Sequence, residues 1–435
     1  MHRVGRVLAA ARSDRFIRAL GIVLVVATVV RVVWVVFAAR PPVGIHDPYW
    51  YELGATRIAA GDGYTLVNGD PTAYFPVGYP AALAVVSWIG THTPVTDNLA
   101  LSAGYAQVIP GVATVALIGL IGRRLFGGRV GIVAAAIAAV FPSQIFYTAT
   151  LLSETLFNLL LVSALAILVW RRDEDLTWSR IGVAGIVLGL AVLTRPVALA
   201  VVPMVGIAWW FGHARWQDAL RRTALLGVGA AIVVLPWTVR NVARMGEPIL
   251  VSTNTGDNLC IGHHPGASGA FELDDWCLEG ISGRFTLDDE LHRDRTLTRR
   301  ALRYAISHPG DELVLTWWRT HATFSTDDDG LRAVQSYGED EFIDPRREDA
   351  LSTLANGFYF GVLAFAGLGV VAIWSRERPR RLLYLACMVA MLLGPLAFFG
   401  DPRFKLPFTL LCTVPAAVTI AALPLIRRST VSSAG

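Results

Sequence analysis

The chain has 435 residues, of which 54% are hydrophobic and 17% charged, with a mean hydropathy of +0.50 and a formal net charge of +4. A soluble protein of this length completes its core without so large an apolar excess, so composition excludes an ordinary water-soluble globule. Of the 38 basic residues only Lys405 is a lysine. No Gly-rich phosphate loop and no basic patch interleaved with aromatics accompanies them, so nucleic-acid binding is not expected.

The apolar residues come in blocks near the roughly 20 residues that cross a hydrocarbon layer. Arg3, Arg6, Arg12, Arg15 and Arg18 precede the first block, residues 19–39. Arg and Lys gather on the cytoplasmic side, so this helix is expected to run from inside to outside. It is too long, and lacks the small-residue cleavage pattern, for a removed signal peptide. Segment 40–98 then lies outside. Residues 49–60 and 76–90 are predicted as amphipathic helices on the outer interface, because Pro48, Pro76, Pro80 and many aromatics fall among them. As a spanning pair they would strand the next arginines on the wrong side.

Spans 99–121 and 130–150 flank Arg123, Arg124 and Arg129, and span 155–170 returns to Arg171 and Arg172. Spans 181–193 and 197–212 meet at an outer turn, Thr194-Arg195-Pro196, and return to Arg215, Arg221 and Arg222. Span 223–238 opens a polar stretch, 240–352, that holds over half of the chain's 34 acidic residues. Helices are predicted there near 288–307 and 309–324, split by His308-Pro309-Gly310. Span 353–374 returns to Arg376, Arg378, Arg380 and Arg381, and spans 382–399 and 408–426 enclose an outer turn before Arg427 and Arg428. The pattern predicts an all-α polytopic membrane protein of about ten transmembrane helices with both termini inside. Its parts are an N-terminal transmembrane module (1–239, with the outer loop 40–98), an extracytoplasmic loop domain (240–352) and C-terminal transmembrane helices (353–435).

Four cysteines divide between the two environments. Cys387 and Cys412 fall within spans, as small apolar residues. Cys260 and Cys277 fall in the outer loop, where they are either free thiols or a disulfide that an oxidising compartment would preserve. Such a bridge would contribute on the order of 3 kcal/mol in the chain-entropy description.

Charged residues at outer helix ends carry the functional expectation. Glu154 sits among Leu151, Leu152, Leu156 and Phe157, and Asp47 precedes Tyr49, Trp50 and Tyr51. Charge at a membrane edge is costly, so two carboxylates there point to a general base or to a divalent-metal site. The competing structural readings are an N-cap for Asp47 and a dipole-favoured helix terminus for Glu154. Arg195, Arg240, Arg403 and Lys405 lie at the same level and match a lipid-linked phosphate, against the alternative of snorkelling to headgroups. Alternation in an extended Arg403-Phe404-Lys405 segment would put both cations on one side. His46, beside Asp47, would orient the base, join a metal or be no more than a polar neighbour. His263-His264 is not expected to hold one, because adjacent histidines rarely converge on an ion without further ligands.

The motifs His46-Asp47-Pro48-Tyr49, Leu152-Ser153-Glu154-Thr155, Thr194-Arg195-Pro196, Pro236-Trp237-Thr238-Val239-Arg240-Asn241, Ser252-Thr253-Asn254-Thr255-Gly256-Asp257-Asn258-Leu259 and Arg403-Phe404-Lys405-Leu406-Pro407 occur in that order. Together they resemble the GT-C membrane glycosyltransferases, and among these the bacterial members similar to protein O-mannosyltransferases and aminoarabinose transferases. The resemblance extends from about residue 46 to 415. It implies a polyprenyl-phosphate sugar donor, an acceptor in the cell envelope (protein, glycan or lipid), an extracytoplasmic active site in the plasma membrane and an inverting transfer. It also implies that Asp47 is the base or a metal ligand and Glu154 the second carboxylate. Two features depart from the pattern: many relatives have Asn-Asn where this chain has His263-His264, and the loop domain is small. Two other classes compete. A secondary transporter or lipid-linked sugar flippase would carry ionisable groups at mid-membrane and repeated halves, whereas Arg31 is the main charge within these spans. A non-catalytic scaffold would not need charges at helix ends.

Overall fold

The computed structural model describes residues 2–92, 98–170, 176–212, 215–281, 286–374 and 379–432. Arg171, Arg172, Arg376 and Arg378, used above to orient the inner turns, lie outside the described residues. The elements in chain order are α1 (His2–Ala38), α2 (Asp47–Ala60), α3 (Gly78–His92), α4 (Leu99–Phe126), α5 (Gly128–Ala139), α6 (Pro142–Phe146), α7 (Glu154–Val169), α8 (Trp178–Thr194), α9 (Val201–Gly212) and α10 (Trp216–Met245). They continue as α11 (Thr255–Gly262), α12 (Asp275–Leu278), α13 (Leu287–Ser307), α14 (Pro309–Phe324), α15 (Asp329–Val334), α16 (Pro345–Trp374), α17 (Pro379–Ala390), α18 (Leu393–Ala397) and α19 (Leu406–Ser432).

Every apolar block read from the sequence coincides with a helix or a broken helix. Among the described residues, six helices are long and apolar enough to cross a membrane, and α5 with the segment Pro142–Ala149 makes a seventh, bent by 60°. The remaining three blocks are shorter helices, Glu154–Val169, Trp178–Thr194 and Pro196–Gly212.

The 60° bend has an identifiable cause. Pro142 cannot extend the helical ladder, which leaves carbonyls at the end of α5 without N–H partners. Arg31 supplies them, donating to Ala139 O at 2.9 Å and Ala138 O at 3.3 Å. The one charge noted within the spans is thus a buried cap on a broken helix.

Small residues let the helices approach closely, as packing without a hydrophobic drive requires. At Gly185 of α8 a Cβ would stand 2.3 Å from the Leu226 carbonyl oxygen of α10, and at Gly369 of α16 it would stand 2.0 Å from the Pro415 carbonyl of α19. The main core runs through α1, α4, α5, α7–α10, α16, α17 and α19. A second cluster, including Tyr51, Phe75, Tyr79, Leu83, Tyr147 and Leu152, fastens α2 and α3 to one end of this bundle.

The loop domain, α11–α15, sits at that same end. Cys260 of α11 and Cys277 of α12 form a disulfide, packed on Leu297 and Ala301 of α13. The predicted helices near 288–307 and 309–324 are α13 and α14. The long helices continue through the sequence boundaries: α10 passes residue 240 and ends only at Gly246, whose φ is +77°, and α16 begins at Pro345.

Candidate active site

Two helix N-termini present the carboxylates. Asp47 is the first residue of α2, after the N-cap His46, and Glu154 is the first residue of α7, after Ser153. Asp47 is therefore not the cap of its helix, and both carboxylates lie where the helix dipole favours negative charge. Arg195 follows the end of α8. Arg403 lies in a 3-10 turn, Pro402–Lys405, whose N-cap Asp401 accepts from the Arg403 amide at 2.9 Å.

These four side chains form an alternating row. Arg195 Nη1 donates to Glu154 Oε1, and Arg403 Nε lies 3.8 Å from the same oxygen. Arg403 Nη2 donates to Asp47 Oδ2 at 2.6 Å, and Nη1 donates to the Tyr337 hydroxyl at 3.2 Å. Glu154 is 2% exposed, and its Oε2 has no hydrogen-bond partner among the described residues. Asp47, Arg195 and Arg403 line a cavity of about 610 Å³; Glu154, next to the lining residue Ser153, does not. The lining also includes polar Ser252, Asn254, Thr255 and Asn258, just before and at the start of α11, and apolar Val197, Phe271, Pro395, Phe398 and Phe399.

The other two proposed phosphate ligands are elsewhere. Lys405 is fully buried: its Nζ donates to the Thr326 and Pro402 carbonyls and lies 3.3 Å from Asp327 Oδ1. The expected extended segment is instead a 3-10 turn, and three residues per turn point positions two apart in different directions. Arg240 donates to Thr72 O at 2.9 Å and Tyr64 O at 2.6 Å, fastening the loop between α2 and α3 to α10. Neither residue lines the cavity. His46 lies 3.0 Å from Glu339, and His263 lies 2.9 Å from Glu312.

Residues that sequence reasoning did not single out complete the site. Tyr337 has φ +54° and follows Ser336 at φ +46°, a left-handed pair of non-glycine residues. Such backbone persists only where its surroundings enforce it, and here it delivers the Tyr337 hydroxyl to Arg403. Burial holds that phenol well above its usual range. Asp329 lines the cavity and accepts from the Tyr147 hydroxyl at 2.8 Å, and burial together with Asp401 pushes its carboxyl up to about 7. Glu290 accepts from Thr72 Oγ1 at 2.5 Å, the Ala73 amide at 3.0 Å and Thr253 Oγ1 at 2.6 Å, and so pins the loop domain to segment 72–74. No motif marks these residues, because each gains its role from a long-range contact.

A resident divalent cation does not fit this arrangement. The positive charge between Asp47 and Glu154 is the Arg403 guanidinium, and no group of three or more His, Cys, Asp or Glu side chains converges among the described residues.

The architecture has solved counterparts. The archaeal oligosaccharyltransferase AglB from Archaeoglobus fulgidus, in complex with an inhibitory peptide and a dolichol-phosphate, is 17% identical with a TM-score of 0.54, over 96% of this chain and 52% of that one. The apo form of the Archaeoglobus fulgidus oligosaccharyltransferase gives 0.55 at the same identity and coverage. ArnT from Cupriavidus metallidurans bound to undecaprenyl phosphate is 14% identical with a TM-score of 0.43, over 92% and 77%. This chain spans about half the length of the oligosaccharyltransferase it matches. The fold is thus shared with the archaeal oligosaccharyltransferase. Residues 82–239 match the family model of dolichyl-phosphate-mannose-protein mannosyltransferases. Among curated proteins no relative matches the sequence.

Proposed function

We propose that this protein transfers a sugar from a polyprenyl-phosphate donor to an acceptor hydroxyl on the extracytoplasmic face of the plasma membrane, inverting the anomeric carbon. The observation that carries the reading is the row Arg195–Glu154–Arg403–Asp47, whose two arginines and Asp47 line a 610 Å³ cavity. One base and two guanidinium groups are what transfer from a lipid phosphate requires. The family match at 82–239 and the dolichol-phosphate bound to the archaeal oligosaccharyltransferase support a lipid-linked donor.

In the reaction, donor phosphate oxygens accept hydrogen bonds from Arg403 and Arg195, whose planar forks suit phosphate. Arg403 exchanges Asp47 for the phosphate, and donor binding thereby frees the Asp47 carboxylate. Asp47 then takes the proton of the acceptor hydroxyl as its oxygen attacks the anomeric carbon. The bond from that carbon to the phosphate oxygen breaks through an oxocarbenium-like state, with its electron pair left on the phosphate. The guanidinium groups neutralise this charge, so no acid is needed at the leaving group. Glu154 is the buried counter-charge that keeps both arginines in place. The acceptor, a component of the cell envelope, would enter along the polar α11 wall. No step runs through a metal.

The test is sugar transfer by the purified chain in nanodiscs, with a panel of radiolabelled polyprenyl-phosphate sugars and with Asp47→Asn alongside. Transfer by the parent that is lost in a folded, donor-binding Asp47→Asn supports the proposal. Failure of the parent to bind every polyprenyl-phosphate lipid would overturn it and favour transport.

A further inference from the structure

We infer that the α13–α14 hairpin of the loop domain docks on the membrane itself, lying in the outer-leaflet interface beside the cavity mouth. Leu302 and Ile306 of α13 are exposed, as are Leu313, Val314, Trp317 and Trp318 of α14; Ile306 is 79%, Leu313 78% and Trp317 65% accessible. Spacings of four within α13, and of one, four and five within α14, put each set on one helix face. The opposite faces are already used: Leu297, Ala301 and Tyr304 in α13, and Leu315, Arg319 and Thr323 in α14, are buried within the protein. Exposed apolar faces of this size on a domain otherwise rich in acidic residues mark an interaction surface.

Its position and composition name the occupant. The α14 helix packs on α18, the last turn of the candidate span Arg380–Ala397, and on the 3-10 turn that opens the span Pro402–Leu423. Leu393 and Leu396 of α18 are themselves exposed, so the hairpin's apolar face continues the lipid-facing surface of these spans. Trp317 and Trp318 are the residue type that settles at headgroup level. Arg299 and Arg303 are exposed on the same face of α13, within one turn of Leu302 and Ile306, where their heads can reach lipid phosphates while their stems stay apolar. The cavity opens alongside: Phe271 and Leu273 line it and are exposed, and the intervening turn at Gly269 rests against Trp318. Docking would hold that mouth at the depth of a lipid headgroup.

Site-directed spin labelling of the full chain in nanodiscs tests this without any reading of activity, so its outcome is separable from that of the transfer assay. Cysteines introduced as Ile306→Cys, Leu313→Cys and Trp317→Cys would be labelled singly, with Asp288→Cys at the far end of α13 as the aqueous reference. The native Cys387 and Cys412 are buried, and Cys260 and Cys277 are paired. The expected result is a ratio of oxygen to nickel-chelate accessibility several-fold higher at 306, 313 and 317 than at 288. Nickel accessibility at the three positions equal to that at 288 would overturn the proposal. So would loss of both accessibilities with dipolar broadening, which would assign the face to a second copy of the chain.

Discussion

Arg403 holds together the carboxylate that is proposed to react and the one that is proposed not to. Asp47→Asn keeps the shape and one acceptor oxygen, so transfer should fall by about 10²–10⁴-fold, the usual contribution of a positioned base. Thermal stability should change little, because a partly exposed ion pair contributes about 1 kcal/mol or less. Arg403→Lys keeps the charge and loses the fork. Donor KM should rise by roughly one to two orders of magnitude, the worth of a charge-assisted hydrogen bond of about 1.5–3 kcal/mol, while the bundle stays intact. Asp329 sets a pH dependence. Its folded carboxyl titrates at about 7 against roughly 4 when unfolded, so between those values the folded chain holds the extra proton. Its contribution to stability is therefore complete below about pH 4 and lost as pH rises to about 7. Melting of parent and Asp329→Asn at pH 5 and pH 8 should show the variant gaining on the parent at the higher pH. Equal differences at both pH values would refute this assignment.

Individual helices behave as the physics of their sequences dictates, and that is why their positions could be read in advance. Length and hydropathy locate α1, α4, α10, α16, α17 and α19 without tertiary information, and His308-Pro309-Gly310 marks the junction between α13 and α14. The break between α5 and α6 was not read, because Pro142 falls in an apolar block and the bend depends on Arg31, 107 residues away. The run through α10 past residue 240 was also missed, since Arg240 looks like a loop residue until the Thr72 and Tyr64 carbonyls receive it. Two predictions concern packing. Replacing Cys260 and Cys277 by serine should cost the loop domain about 3 kcal/mol and expose α11–α13 to protease before the spans yield. Gly185→Leu should separate α8 from α10 and lower the melting temperature in detergent markedly, since the added atoms meet backbone rather than a movable side chain.

Taken as one object, the protein gathers its polar chemistry at one end of an apolar bundle, and the charge pattern alone implied such a gathering. Which residues would meet was only half legible. Asp47, Glu154, Arg195 and Arg403 all sit at helix ends and meet in one row, three of them lining the same cavity, so their placement at span boundaries was signal enough. Lys405 occupies an equally suggestive boundary position, yet the short turn that aims Arg403 into the cavity turns Lys405 towards Asp327. Handedness within a four-residue turn is beyond what spacing can tell. The contact between Asp47 and Arg403 joins positions 356 residues apart. Spans enter a bilayer in the order they leave the ribosome, so for nearly the whole of synthesis Asp47 and Glu154 wait at the membrane edge without Arg403. A ribosome that stalls before the final span therefore leaves an inserted product in which the proposed donor site is not assembled.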